Sequence, residues 1–297
     1  MGGPGSLGLF TADCPVLYSG WVMLNRGAVV GGVAALVLAA AAAGAWLQVQ
    51  PAREAEAATD EELPIPPVPP RIAEGEDYDK CLGMLNADPS GALAFADAWA
   101  RGGEAAAHCR ALAEIALGEP DRGAQDLERL AKTSNAEAAA RATIYGQAGQ
   151  AWIMAGSPAR AFAAASLALA LNPDDPDLWV DRSVAASGLE RYREAAEDLT
   201  QALEADPRRV EALVFRAAAW RHLDKLDLAQ DDIDRAFAQD PENPDALLER
   251  GILRQRRGDP AGARRDWERA MALSPDTATG DLAQQNLALL EAGPERR

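Results

Sequence analysis

Few side chains in this sequence could carry chemistry. His108 and Cys109 are neighbours, a pairing that in principle supplies a thiol nucleophile and its base. Adjacent residues on a helix point about 100° apart, however, so the imidazole cannot reach the thiol proton. The other histidine, His222, lies in a distant part of the chain. The sequence contains no phosphate-cradling loop, Gly-rich dinucleotide turn, H-E-x-x-H pair or C-x-x-C motif. Carboxylates are abundant, as at Glu194, Glu197 and Asp198, but they fall where a solvated helix face accounts for them. The expectation is a protein that is not an enzyme, with no catalytic residues, no cofactor and no metal site.

Composition narrows the function classes further. The 297 residues are 48% hydrophobic and 25% charged, enough for one large domain or two ordinary ones. A net charge of −17, from 29 basic against 46 acidic side chains, argues against a nucleic-acid partner. Phosphate recognition needs clustered Lys and Arg.

The elements that position these residues follow a beat. Pro173, Pro207, Pro241 and Pro275 each stand 34 residues from the next (207 − 173 = 34). Ala168, Ala202, Ala236 and Ala270 keep the same spacing, as do Ala161, Ala195, Ala229 and Ala263. A period of this length marks a helix-turn-helix solenoid. With the proline at position 32, units start at Ala142, Pro176, Val210 and Pro244. Position 4 is large (Tyr145, Trp179, Leu213, Leu247) and position 8 small (Gly149, Ser183, Ala217, Gly251). Turn chemistry falls between the helices at Gly156-Ser157-Pro158, Gly188, Asp224 and Gly258-Asp259-Pro260.

Together with a large residue at position 24 in three of the units (Leu199, Ile233, Trp267; Ala165 in the first), this pattern closely resembles the tetratricopeptide repeat family. The resemblance implies an all-α, right-handed superhelix of antiparallel helix pairs. Its first helices would line a concave groove that holds peptides or partner proteins. It covers residues 142–275 as four regular units and, less specifically, residues 76–141 as irregular hairpins broken at Asp88-Pro89, Gly102-Gly103 and Gly118-Glu119-Pro120. Residues 276–297 supply a helix whose Leu282, Leu287, Leu289 and Leu290 would cap the apolar solenoid end.

Ahead of the repeats, residues 1–26 form an almost uncharged, Gly-rich tail, and Met23 is a candidate translation start. From Ala28 to Leu47 no residue has a polar side chain, and residues 27–49 read as a transmembrane anchor or signal segment. The anchor is the favoured reading; a signal cleaved near Ala45 is its rival. Residues 50–75, acidic and then rich in proline from Pro64 to Pro70, read as an extended spacer. The expected location is a single-pass membrane protein with its repeats on the periplasmic or extracytoplasmic side. The alternative is a soluble periplasmic or secreted chaperone-like carrier.

In an exported domain Cys81 and Cys109 meet an oxidising compartment. Each lies in the first helix of its hairpin, and successive first helices pack side by side, which makes the two a candidate disulfide worth about 3 kcal/mol. The family's groove register points to Asp177, Val180, Asp181, Val184, Glu211, Val214, Asp245, Glu249 and Ile252. An acidic rim over apolar patches would suit a basic or amphipathic segment. Arg250, Arg254, Arg256, Arg257, Arg264, Arg265 and Arg269 crowd the last unit, some pairing locally. Any unpaired remainder is a candidate for self-association or for an anionic lipid surface.

Overall fold

A computed structural model of the chain describes residues 70–99 and 101–293. The tail, the apolar run from Ala28 to Leu47 and all but the end of the Pro-rich spacer lie outside the described residues. Among those described, no helix is long and apolar enough to cross a membrane.

The described residues form thirteen α-helices and no strand. They are α1 Glu76–Met84, α2 Pro89–Ala98, α3 Gly103–Ala116, α4 Pro120–Thr133, α5 Ala138–Met154, α6 Pro158–Leu171, α7 Pro176–Gly188, α8 Tyr192–Ala205, α9 Val210–His222, α10 Leu226–Gln239, α11 Pro244–Arg256, α12 Pro260–Leu273 and α13 Ala278–Ala292. Proline opens six of them (α2, α4, α6, α7, α11 and α12), where its missing amide costs nothing. Asp88, Asp175, Asn243, Asp259 and Thr277 cap helices by accepting from a backbone N–H of the first turn.

From α3 onward, each hairpin turns through one left-handed residue: Gly118, Gly156, Glu190, Asp224 and Gly258. In the second regular unit the residue is therefore Glu190 (φ 59°), whereas Gly188, the expected turn, ends α7. The repeat register fixes the turn position, and a non-glycine residue there accepts backbone strain.

Part of the irregular register of the N-terminal hairpins comes from α5. Helix α5 has 17 residues against 13 in α7, α9 and α11. It starts at Ala138, so the sequence boundary at Ala142 falls one turn inside it. Second helices begin at Pro120 and Pro158, 38 residues apart, and thereafter at Tyr192, Leu226 and Pro260, 34 apart.

Size matching between positions 8 and 24 sets the hairpin packing. A Cβ on Gly251 would overlap the Trp267 indole at Nε1, so the glycine is the space the buried ring fills. In the first unit both positions are small. There the backbones close up until a Cβ on Gly149 would lie 3.5 Å from the Ala161 carbonyl oxygen. Ala161, Ala195, Ala229 and Ala263 are all buried at these crossings. Helix α13 packs on α11 and α12 through Leu282, Leu287 and Leu290, while Leu289 points outward, 68% exposed.

Candidate partner-binding face

The first helices of successive hairpins touch: α1 with α3, and α5, α7, α9, α11 and α13 in sequence. Their facing side chains form a row of polar bridges. Tyr78 on α1 meets His108 Nδ1 at 2.5 Å, and His108 Nε2 meets Gln147 Oε1 on α5 at 2.7 Å. An amide oxygen only accepts, so Nε2 carries the proton and the Tyr78 hydroxyl donates to Nδ1. Burial lowers the His108 pKa and favours this neutral form. One turn along α5, Gln150 Nε2 donates to both carboxylate oxygens of Asp181 on α7, at 3.2 and 3.1 Å.

Asp181 has no ion pair of its own among the described residues. Arg209, the cation that acts on it, is paired with Asp177 and Glu211. Burial, together with those two carboxylates and against the Gln150 hydrogen bond, pushes the Asp181 pKa up to about 7. Opposite it, Gly146 lets α7 approach: a Cβ there would lie 2.9 Å from Leu178 Cδ2 and 3.7 Å from Asp181 Oδ2.

The other residues of the expected groove are placed differently. Val180, Val184 and Val214 are buried in the core at 4%, 7% and 4% exposure. The first-helix layer packs tightly enough that its aliphatic positions fill the space between neighbours. The acidic rim is largely consumed within the chain. Asp177 and Glu211 share Arg209, Thr279 donates to Asp245, and Arg221 Nε donates to buried Glu249 at 2.6 Å. Burial raises the Glu249 pKa and Arg221 opposes it. Ile252 is half-buried. These carboxylates thus have partners within the chain, and Gln147, Gln150 and Asp181 form a smaller polar patch beside them.

Asp198, expected on a solvated face, is buried and takes two hydrogen bonds from Arg182, at 2.9 and 2.6 Å. The same fork recurs at Arg216–Asp232 and Arg250–Asp266, always 16 residues apart. Each arginine also reaches the second helix of the preceding hairpin: Arg182 lies over Phe162, Arg216 donates to Thr200, and Arg250 lies over Phe237. The signal was in the sequence, since Arg182, Arg216 and Arg250 keep the 34-residue spacing, as do Asp198, Asp232 and Asp266.

The arginines of the last unit are mostly occupied. Arg250 and Arg254 hold Asp266, Arg256 holds Asp224, Arg257 holds Asp227, Arg264 holds Glu268 and Glu291, and Arg269 holds Glu242. Of the seven, Arg265 alone has no ion pair among the described residues. Cys109 is disulfide-bonded to Cys81, with Cα atoms 6.2 Å apart, and so is no nucleophile for His108. Among the described residues no three His, Cys, Asp or Glu side chains could hold a metal ion.

Residues 150–220 match the family model described as tetratricopeptide repeat. No curated protein matches the sequence at a significant level. Among solved structures, a chain of the APC/C hetero-tetramer Cut9-Hcn1 aligns over 71% of this chain at 16% identity, with a TM-score of 0.56. This chain spans 42% of the length of that one. The thermophilic tetratricopeptide-repeat protein TTC0263 of Thermus thermophilus aligns over 63% of this chain and its own full length, at 18% identity and a TM-score of 0.51. At these identities the likeness is one of fold.

Proposed function

We propose that this chain, whose residues 150–220 match the tetratricopeptide-repeat model and whose fold is like that of solved repeat proteins, is a non-catalytic scaffold. It holds a peptide or protein partner against the face made by its first helices, arranged as the concave side of a right-handed superhelix. The observation that carries the reading is the polar patch of Gln147, Gln150 and Asp181 across α5 and α7, beside Gly146, where the two helices approach closely. Amide and carboxyl groups of this kind can hydrogen-bond the backbone of an extended segment without demanding a particular side chain.

In this reading the apolar run from Ala28 to Leu47 anchors the chain in a membrane and the repeats face the extracytoplasmic side. The Cys81–Cys109 disulfide supports an oxidising compartment. The second reading, a soluble carrier released by cleavage near Ala45, rests on the small residues Ala43-Gly44-Ala45. The intact mass of the mature chain separates the two.

The binding reading is tested by quantitative capture of partners on the full chain in detergent, beside a Gln150→Ala/Asp181→Ala variant. Loss of the same partner from the variant, with unchanged helical content, is the expected result. Equal capture by both forms would remove this face from the proposal.

A further inference from the structure

The hairpin of α1 and α2 has the shortest helices of the described residues. Its helices have nine and ten residues, below the about 12–15 at which a helix is even marginally stable alone. The buried side chains of its core cluster with α3 are Cys81, Ala92, Ala96, Cys109 and Ala113. By contrast, the next cluster along the chain buries Leu127, Ile144 and Trp152. The larger apolar residues of the first hairpin, Leu82, Met84, Leu85, Leu93 and Phe95, are only partly buried. Tyr78 is the one large side chain that α1 or α2 buries completely, and elsewhere in the hairpin the covalent bond stands where an aliphatic core pair would. Besides the disulfide, the Tyr78–His108 hydrogen bond links α1 to α3.

We propose that this hairpin is a redox-released cap: the Cys81–Cys109 disulfide holds α1 and α2 against α3, and its reduction undocks them while α3 to α13 stay folded. The reductant is a dithiol. Its thiolate attacks one sulfur of the bridge to give a mixed disulfide, and its second thiol then displaces the protein sulfur, leaving two protein cysteine thiols and an oxidised reductant. Two electrons and two protons pass to the protein.

The folded boundary follows from the packing. Helix α3 is held from its other side by α4, where Ala111, Ala124, Leu127 and Ala131 are fully buried, and by His108–Gln147 to α5. Those contacts do not involve the cysteines. Undocking uncovers the side of α3 carrying Ala105, His108, Cys109 and Ala113, now buried. The solenoid then has an open apolar end where it had a lid. This inference is independent of which partner the repeats hold.

The test is amide hydrogen exchange of the full chain in detergent, oxidised and after dithiothreitol, read by peptide, beside a Cys81→Ala/Cys109→Ala variant. The expected result is a loss of protection of about a hundredfold in α1 and α2, in both the reduced protein and the variant. Protection in α7 to α12 stays within about twofold, and dithiothreitol leaves the variant unchanged. Retained protection of α1 and α2 after reduction overturns the proposal. So does a loss that spreads into α7 to α12. Should dithiothreitol fail to reduce the bond in the folded protein, the hairpin is a permanent cap and the switch is refuted, whatever the variant shows.

Discussion

Replacing Arg182 with alanine tests the most regular device in the fold. The guanidinium makes two charge-assisted hydrogen bonds to Asp198, whose side chain is 7% exposed, and it also lies over the rings of Phe162 and Trp179. Without it Asp198 keeps no ion pair, and Glu194 and Glu197 act on it only by repulsion. Stranding a buried charge in this way costs about 3–5 kcal/mol. Burial already pushes the Asp198 pKa up, with the Arg182 hydrogen bonds pulling against it. In the variant nothing pulls back, so Asp198 takes a proton more readily. The penalty should therefore be largest near neutral pH and shrink as pH falls and the carboxyl is neutralised.

The assay is urea unfolding combined with native-state hydrogen exchange in α7 and α8, because repeat arrays open unit by unit. The Arg182→Met/Asp198→Leu double variant should recover most of the loss, since a buried pair replaced by matched apolar groups is often neutral. Arg269, at 51% side-chain exposure and paired with the exposed Glu242, is the control, with an expected cost below about 1 kcal/mol. An Arg182→Ala loss below about 1 kcal/mol, independent of pH, would refute the reasoning and make the fork an ordinary surface pair.

Three further outcomes are expected. Glu190→Gly relieves a left-handed residue at φ 59° and should raise the stability of the second regular hairpin by about 1 kcal/mol, read by thermal unfolding. Gly251→Ala drives a methyl into Trp267 Nε1 and disturbs its hydrogen bond to the Leu248 carbonyl; a cost of about 1–3 kcal/mol is expected, with a change in Trp fluorescence. Asp181 has a folded pKa raised from 3.8 to about 7, so its contribution is fully present below pH 3.8 and is lost as pH rises through 7. Asp181→Asn should flatten that part of the stability–pH curve, and an unchanged slope would show that Asp181 does not titrate there.

Much of the fold was legible because it depends on spacing. Helix starts at Pro158, Pro176, Pro244 and Pro260, buried alanines at Ala195 and Ala229, and hairpin turns near Asp224 and Gly258 follow from local rules acting at a fixed period. The groove was less legible for a physical reason. Whether a carboxylate is available depends on partners far along the chain: Asp177 meets Arg209 32 residues on, and Glu249 meets Arg221 28 residues before it. Those distances are crossings between helices, and no helical face drawn for one element reveals them.

By itself, then, the sequence determined an all-helical repeat with its register and its narrow, alanine-lined crossings, because backbone propensity and size at each position are local. The tertiary structure alone decided that α5 carries one extra turn, that Val180 and Val214 are core, and that the acidic rim is spent on internal pairs. Each of those depends on how closely neighbouring helices pack, which is settled only when both surfaces are present.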